Sequence, residues 1–442
     1  MPGMKGRLSR LKELGLVKAS EMKVQASTRR LAENGRSSIQ KFNALERTER
    51  CTFLHGWERM APHIYTRTVE TGLSLEEENG GIFDKSHFVN QRMRRKKGED
   101  PAVPAEMPYS RLSFFDFETT GLSGGTGTIA FLAAIGFFEA NGFFIRQVFI
   151  DDFPGETGFL DFIVQLLAQR PELVTYNGAA FDLPLLRTRC IMNGLAVPDF
   201  GHIDLLHTTR RLWRKTLGSC SLQALEVAVL GEGREGDVPG FLIPRLWLDY
   251  SASCPNPAEE SLAAMEKIAA HNVLDVRSLA RLFLRIDGII AEPERRWAEG
   301  KVYVRHLALE LVAAGRSREA FSILEEAGSN GDQGALRLLA KLYRREGSLE
   351  SYERIVESMD EGSVEGCVEK AKLYEHGKKN PGLALKHTQR AIDLLRVAEE
   401  EVKDDFIGGS RFESPKPPEC RQALERRRMR LTRKLEKLLR EG

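Results

Sequence analysis

Leu112-Ser113-Phe114-Phe115-Asp116-Phe117-Glu118 is the stretch on which the fold turns. Apolar at nearly every position and followed by Gly121, it reads as a buried strand. Residues i and i+2 of a strand face the same way, so Asp116 and Glu118 present two carboxylates side by side. Burying such a pair is costly unless a cation compensates. A divalent metal is the simplest compensation, and hard cations such as Mg²⁺ or Mn²⁺ take oxygen ligands. Taken alone, the pair fits a surface or edge strand better, since acids are mostly exposed.

Working outward, Ile129 to Phe138 and Phe143 to Phe149 flank Asn141-Gly142, a hairpin dipeptide. Asp161 to Ala168 reads as a helix and Leu173-Val174-Thr175-Tyr176 as a further strand. Antiparallel strands first, then strands alternating with helices, predict a mixed α/β sheet. Upstream, Ile64-Tyr65-Thr66-Arg67-Thr68-Val69 alternates like a strand and is expected to pack onto this domain. The rest of residues 1–108 reads as a basic, partly ordered region and linker. It carries a short leucine pattern (Leu8, Leu11, Leu14, Leu16), Gly80-Gly81 and the run Arg92-Met93-Arg94-Arg95-Lys96-Lys97. That run reads as a solvated linker, the alternative being a segment that touches phosphates.

Beyond about Ala291 the strand signals stop. Ala340-Lys341-Leu342-Tyr343 recurs as Ala371-Lys372-Leu373-Tyr374, and Gly315, Gly347 and Pro381 mark the turns. A period near 34 residues with helix–turn–helix units resembles tetratricopeptide-like repeats, a scaffold that could recruit a protein partner. Gln422 to Arg440 places Leu431, Leu435, Leu438 and Leu439 on one face and reads as a C-terminal capping helix. The expected division is therefore 1–108, an α/β domain over 109–290, and helical repeats over 291–442.

Composition sets the bounds. In 442 residues, 65 Lys+Arg balance 63 Asp+Glu to a net charge of +2, with 42% hydrophobic and 29% charged residues. These proportions are ordinary for a globular chain and exclude a collagen-like or largely disordered one. No apolar run approaches a membrane span. Met1 to Arg10 is basic without an apolar stretch behind it, so no secretory signal is expected. The cysteines at 51, 190, 220, 254, 367 and 420 form no CxxC pair, which suits a reducing cytoplasm.

Two more acidic positions give the first pair its meaning. Asp182 opens a helix after Tyr176-Asn177-Gly178-Ala179-Ala180-Phe181, where an Asp is also a common N-cap. His271 and Asp275, four apart, share one helix face, as a simple surface hydrogen bond would also require. Together these pieces resemble the DEDD superfamily of 3′→5′ exonucleases, which have the ribonuclease-H-like fold. Asp116 and Glu118 match its first motif, Asp182 its second, Asp275 with His271 its third. Phe117 to Thr128, Ser219 to Glu226, Gly236-Asp237-Val238-Pro239-Gly240 and Ile243-Pro244 resemble the YprB-type group within it.

The resemblance implies a metal-dependent nuclease that hydrolyses phosphodiester bonds from a 3′ end of single-stranded DNA or RNA, without a membrane partner. It also implies two divalent cations, Mg²⁺ or Mn²⁺. Asp116 would bridge them, Glu118 and Asp275 would hold the one that activates water, and Asp182 would support the other. His271 would accept or orient the water's proton. Thr119, Thr120, Gly121, Leu122, Asn177 and Phe181 would contact substrate. In the superfamily the histidine usually stands five residues before the last Asp, and here the spacing is four, a rotation of about 100° on a helix. The contrasting reading is a catalytically silent nucleic-acid-binding module.

Other features are ambiguous at this level. Gly124, Gly125 and Gly127 could let backbone approach a sugar–phosphate or simply turn the chain. Arg210, Arg211, Arg214 and Lys215 around Trp213 could line a strand's path or form a solvated basic face. His202-Ile203-Asp204-Leu205 reads as a helix start capped by Asp204, and Trp57 and Trp247 read as packing residues.

Overall fold

The computed structural model describes residues 56–75, 85–86, 107–121, 127–140, 142–196, 199–254, 257–404 and 417–441. The leucine pattern near the N-terminus, Gly80-Gly81, the basic run 92–97, Asn141, Leu122, Gly124 and Gly125 lie outside them. The chain divides into two compact units. One contains the described residues up to His207 and Ser221–Arg285; the other contains Thr208–Cys220 and the described residues from Ile286 onward.

The first unit is built on a seven-stranded sheet. Its strands are β1 (Glu58–Ala61), β2 (Ile64–Ser74), β3 (Leu112–Thr119), β4 (Ala130–Glu139), β5 (Gly142–Ile150), β6 (Glu172–Thr175) and β7 (Gly201–Asp204), in the order β1-β2-β5-β4-β3-β6-β7. The β1–β2, β2–β5, β5–β4 and β4–β3 pairs are antiparallel, and β3–β6 and β6–β7 are parallel. The Ile64 strand thus joins the sheet as expected, pairing Ile64 with Ile150 and Val69 with Ile145. The sheet therefore starts upstream of residue 109, because the free edge of β5 is completed by β2. The 201–204 stretch is a strand paired with Glu172–Thr175 rather than the first turn of a helix, while Asp204 caps the helix that begins at Leu205 by accepting from Leu206 N.

Helices cover both faces. On one, Phe115 and Phe117 of β3 belong to the same core as Phe159, Leu160, Ile163 and Leu167 of α1 (Glu156–Gln169). Those α1 positions form one stripe at helical spacing, and each fully buried side chain of this size contributes about 1.5–3 kcal/mol. α2 (Asp182–Met192) is tied to α1 by a buried Arg189–Glu156 ion pair with two 2.5 Å contacts. Trp247 of α4 (Ile243–Ser253) stacks on Phe131 at 5.0 Å and donates to Ile150 O, while Trp57 packs edge-on against Phe149, so both tryptophans are packing residues.

On the other face lies α5 (Glu259–Ala291), whose residues to Arg285 belong to this unit. Its Phe283 meets Phe114 of β3 edge-on at 5.5 Å. Gly136 of β4 makes this approach feasible: a Cβ there would stand 2.6 Å from Val276 Cγ1. A side chain at 136 would hold the helix off the sheet.

In the second unit, the Thr208–Cys220 segment, which carries most of α3 (Leu205–Leu217), is secured by Trp213 Nε1 donating to Gly300 O and Tyr303 N donating to Leu212 O. Helices then pack in succession: α6 (Val304–Ala313), α7 (Ser317–Ser329), α8 (Gln333–Glu346), α9 (Leu349–Ser358), α10 (Val364–Lys372), α11 (Pro381–Asp404) and α12 (Pro417–Glu441). Gly347 ends α8 in the left-handed conformation (φ 82°), which favours glycine. The repeated tetrapeptide buries its alanine in both copies, but its tyrosine turns to the preceding helix in the first and to the following helix in the second. Ala340 and Ala371 are buried, while Tyr343 packs on Phe321 and Tyr374 stacks on His387. Along α12, Leu431 is buried but Leu438 and Leu439 are exposed, so the leucine face is covered only over its first part. Arg427 and Arg430 of α12 anchor it to Glu375.

Candidate active site

Strand alternation puts Phe114, Asp116 and Glu118 on one face of β3, under α5. The apolar end of this face meets Phe283, and the acidic end meets His271, Asn272 and Asp275 two to three turns earlier on the helix. His271 Nε2 lies 3.9 Å from Glu118 Oε1 and 3.4 Å from Asp275 Oδ2. Potential ligand atoms of Glu118, His271 and Asp275 all fall within 4.8 Å of one another. Asp182 enters from the N-terminus of α2. Asp116, Glu118, Asp182, His271 and Asp275 line one cavity of about 260 Å³, together with Thr119, Gly121 and Phe181.

Electrostatic strain is the signature of this arrangement. Burial and then the charges of Asp275, Asp182 and Glu118 hold Asp116 well above the carboxylate range. Glu118 is raised well up by burial and by Asp275, Asp182 and Asp237. Burial drives Asp182 up to about 7 against the pull of backbone amides, with Asp204 and Asp275 adding to the rise. Asp275 is raised by burial although His271 and Arg234 oppose it. Carboxylates that disfavour one another's ionisation bind a divalent cation readily, because the cation removes the repulsion. The four carboxylates supply the hard oxygen donors that Mg²⁺ or Mn²⁺ takes, so these residues fit such ions.

Asp116 is aimed by a buried relay that crosses three elements. Arg67 Nε donates to Gln147 Oε1 (2.7 Å), Gln147 Nε2 to Asn272 Oδ1 (3.0 Å), and Asn272 Nδ2 to Asp116 Oδ2 (2.9 Å). A guanidinium can only donate. It therefore fixes which way the Gln147 amide faces, and through it the Asn272 amide. The outcome is an N–H presented to Asp116.

A charged loop, absent from the candidate residues read in the sequence, closes the other side. Arg234 pairs with Glu226, with Asp237 at 3.1 Å and with Asp275. Asp237 Oδ1 lies 2.7 Å from His271 Nδ1. The loop has no periodicity to mark it; the only signal was the Gly236–Gly240 stretch, noted for its resemblance alone. On the Asp182 side, Asp204 accepts from the backbone N–H of Asn177 (2.8 Å), Ala179 (3.1 Å) and Leu206 (3.0 Å). Asn177 has φ 65°, a left-handed conformation that Asn tolerates. The Asn177-Gly178 pair thus shapes the turn that delivers Phe181 and Asp182.

The expected substrate residues separate. Thr119, Gly121 and Phe181 line the cavity, and the Phe181 ring is exposed. Thr120 instead closes its loop: its Oγ1 accepts from Ile129 N, and its own N–H donates to Ile129 O. Asn177 is not among the lining residues. Trp213, read as a possible stacking platform, is fully buried with its N–H spent on Gly300 O, and Arg211 pairs with Glu310. His202 Nε2 lies 2.8 Å from Thr175 Oγ1, a contact between neighbouring strands.

A family model described as the RNase_H superfamily matches residues 113–286. Over 424 residues, covering 90% of this chain and 96% of the relative, the chain is 29% identical to a Bacillus subtilis (strain 168) protein called "Uncharacterized protein YprB". Among solved structures, a family B DNA polymerase from the hyperthermophilic archaeon Pyrobaculum calidifontis matches with a TM-score of 0.31 and 17% identity. That match covers 47% of this chain and 29% of the polymerase chain. No helix among the described residues is long and apolar enough to cross a membrane.

Proposed function

We propose that the protein, whose residues 113–286 match a model of the RNase_H superfamily, is a metal-dependent nuclease that removes nucleotides from 3′ ends of single-stranded nucleic acid. The observation that carries this reading is the convergence of Asp116, Glu118, Asp182, Asp275 and His271 on one cavity. Asp116, Glu118, Asp182 and Asp275 would hold two divalent cations, Mg²⁺ or Mn²⁺. When bound, such ions activate water and shield the charge of a phosphodiester undergoing in-line displacement. The protein's own groups then have distinct tasks. Asn272 orients Asp116 through its donated N–H. His271 presents Nε2 beside Glu118 and Asp275, where it can take or orient the proton of an attacking water. The exposed Phe181 ring offers a face on which a terminal base can stack.

The test uses 3′- and 5′-labelled single-stranded DNA and RNA with Mg²⁺, Mn²⁺ or EDTA. The wild type is compared with the Asp116→Asn/Asp275→Asn double variant. Metal-dependent shortening from the 3′ end, lost in the variant, is the expected result and also selects the sugar. Equal binding by both proteins with no cleavage under any metal would replace this reading with that of a silent nucleic-acid-binding module.

A further inference from the structure

His271 stands four residues before Asp275, so the helix alone does not account for the direction in which its ring points. The ring has two distinct sides. Nε2 faces the carboxylate cavity, and His271 also borders a second cavity of about 480 Å³ lined by Arg234, Asp237 and Arg277. On that second side Nδ1 meets Asp237, at 2.7 Å from Oδ1 and 2.8 Å from Oδ2. Arg234 Nη1 lies 3.4 Å from the same nitrogen. A guanidinium has only hydrogens to offer and an ionised carboxylate only lone pairs. The closer and better-matched partner of Nδ1 is therefore the carboxylate, which requires Nδ1 to carry the proton.

Asp237 is itself held from several directions. Its Oδ1 accepts from Val238 N (2.9 Å) and its Oδ2 from Arg234 Nη1 (3.1 Å), while Arg234 is gripped by Glu226 and Asp275. Burial pushes the Asp237 carboxyl up, but the His271 and Arg234 contacts outweigh it and hold the group below its usual value, so it stays an acceptor. Glu226, Arg234 and Asp237 thus form a rigid bracket whose last member touches the imidazole.

We propose that Asp237 is a positioning residue that fixes His271 with its proton on Nδ1 and the Nε2 lone pair turned towards Glu118 and Asp275. A bracket behind the ring supplies the aim that the four-residue spacing leaves open. The carboxylate–imidazole contact also selects the tautomer in which Nε2 can accept a proton, as carboxylates paired with functional histidines commonly do. The catalytic consequence rests on the nuclease reading; the tautomer does not.

Two readouts on the full-length protein test this. The first is the ¹⁵N NMR signature of the His271 imidazole in metal-free, histidine-labelled protein, followed to alkaline pH so that the neutral ring is read, and assigned by comparison with His271→Gln. The second is kcat and KM with Mg²⁺ on whichever labelled strand the wild type cleaves. Expected are a bare Nε2 and a protonated Nδ1 in the wild type, and loss of that single tautomer in Asp237→Ala. The kcat of this variant should fall on the order of 10²-fold with KM little changed, the usual range for a general base. Asp237→Asn keeps the side-chain volume and serves if Asp237→Ala does not fold. Its amide must turn an N–H towards Val238 N or Arg234, so it too should disturb the tautomer. A neutral wild-type ring with its proton on Nε2 and a bare Nδ1 would overturn the proposal. So would variants that lose kcat while keeping the wild-type tautomer, since the loss would then come from the loop. A wild type that cleaves no strand refutes the nuclease reading and leaves the positioning to stand or fall on the imidazole signals.

Discussion

Replacing Asp182 by Asn should stabilise the metal-free protein at alkaline pH, although it removes a group central to the site. The Asp182 carboxyl rises from 3.8 to about 7 on folding, chiefly through burial. A group raised in this way contributes its full share of stability below the unfolded value and loses it as the pH climbs through the folded one. The loss accumulates between about pH 4 and pH 7 and is complete by pH 8, where the charged side chain faces Asp275 and Asp204. At about 1.36 kcal/mol per unit the full shift corresponds to about 4 kcal/mol. Asp182 opens partly onto the cavity, so water screens part of this, and the expected gain is about 1–3 kcal/mol. For a domain of this size that is a melting-temperature increase of several degrees. The assay is thermal unfolding in EDTA between pH 5 and pH 8.5. Wild type should lose stability with rising pH more steeply than Asp182→Asn, and the curves should converge at the acidic end. Mg²⁺ or Mn²⁺ at pH 8 should raise the wild type and raise the variant less. A variant less stable than wild type at pH 8 with an unchanged pH slope would refute the reasoning, as it would mean that Asp182 is an ordinary cap.

Three further outcomes are expected. Gln147→Leu breaks the relay between Arg67 and Asn272 within the core, and each buried group left unpaired should cost about 1–3 kcal/mol, read as a lower denaturant midpoint. Gly136→Val should destabilise the fold by about 1–3 kcal/mol by wedging Val276 and α5 from the sheet, again by denaturant unfolding. Trp213→Phe should cost about 1 kcal/mol for the lost bond to Gly300 O and leave single-strand affinity unchanged in a filter-binding titration. A large loss of affinity would restore the stacking role that burial of this ring denies.

Local pattern made the central strand, the hairpin after it and the helix opened by Asp182 legible in the sequence, because each depends on neighbours a few residues away. The same period-2 rule placed Asp116 and Glu118 on one face, and helical spacing did so for His271 and Asp275. Strand 201–204 was misread for the complementary reason: its pairing with Glu172–Thr175 is a non-local gain that no nearby residue announces. Trp213 looked like a surface aromatic among cations, and only its distant partner at Gly300 shows it to be core.

By itself, then, the sequence determined most of the elements and the chemical inventory: a mixed sheet, trailing helices, four acids and a histidine in telling positions. What only the tertiary structure decided was the orientation and charge state of those groups. Arg67 sets the Asn272 amide from strand β2, Arg234 and Asp237 brace His271 from a loop, and Asp204 holds the Asn177 turn from β7. Burial and mutual repulsion lift the carboxylates only once strand β3 and helices α2 and α5 bring them together. Hydrogen-bond direction and desolvation depend on partners brought within a few ångströms across long stretches of chain, and residue order alone does not encode them locally.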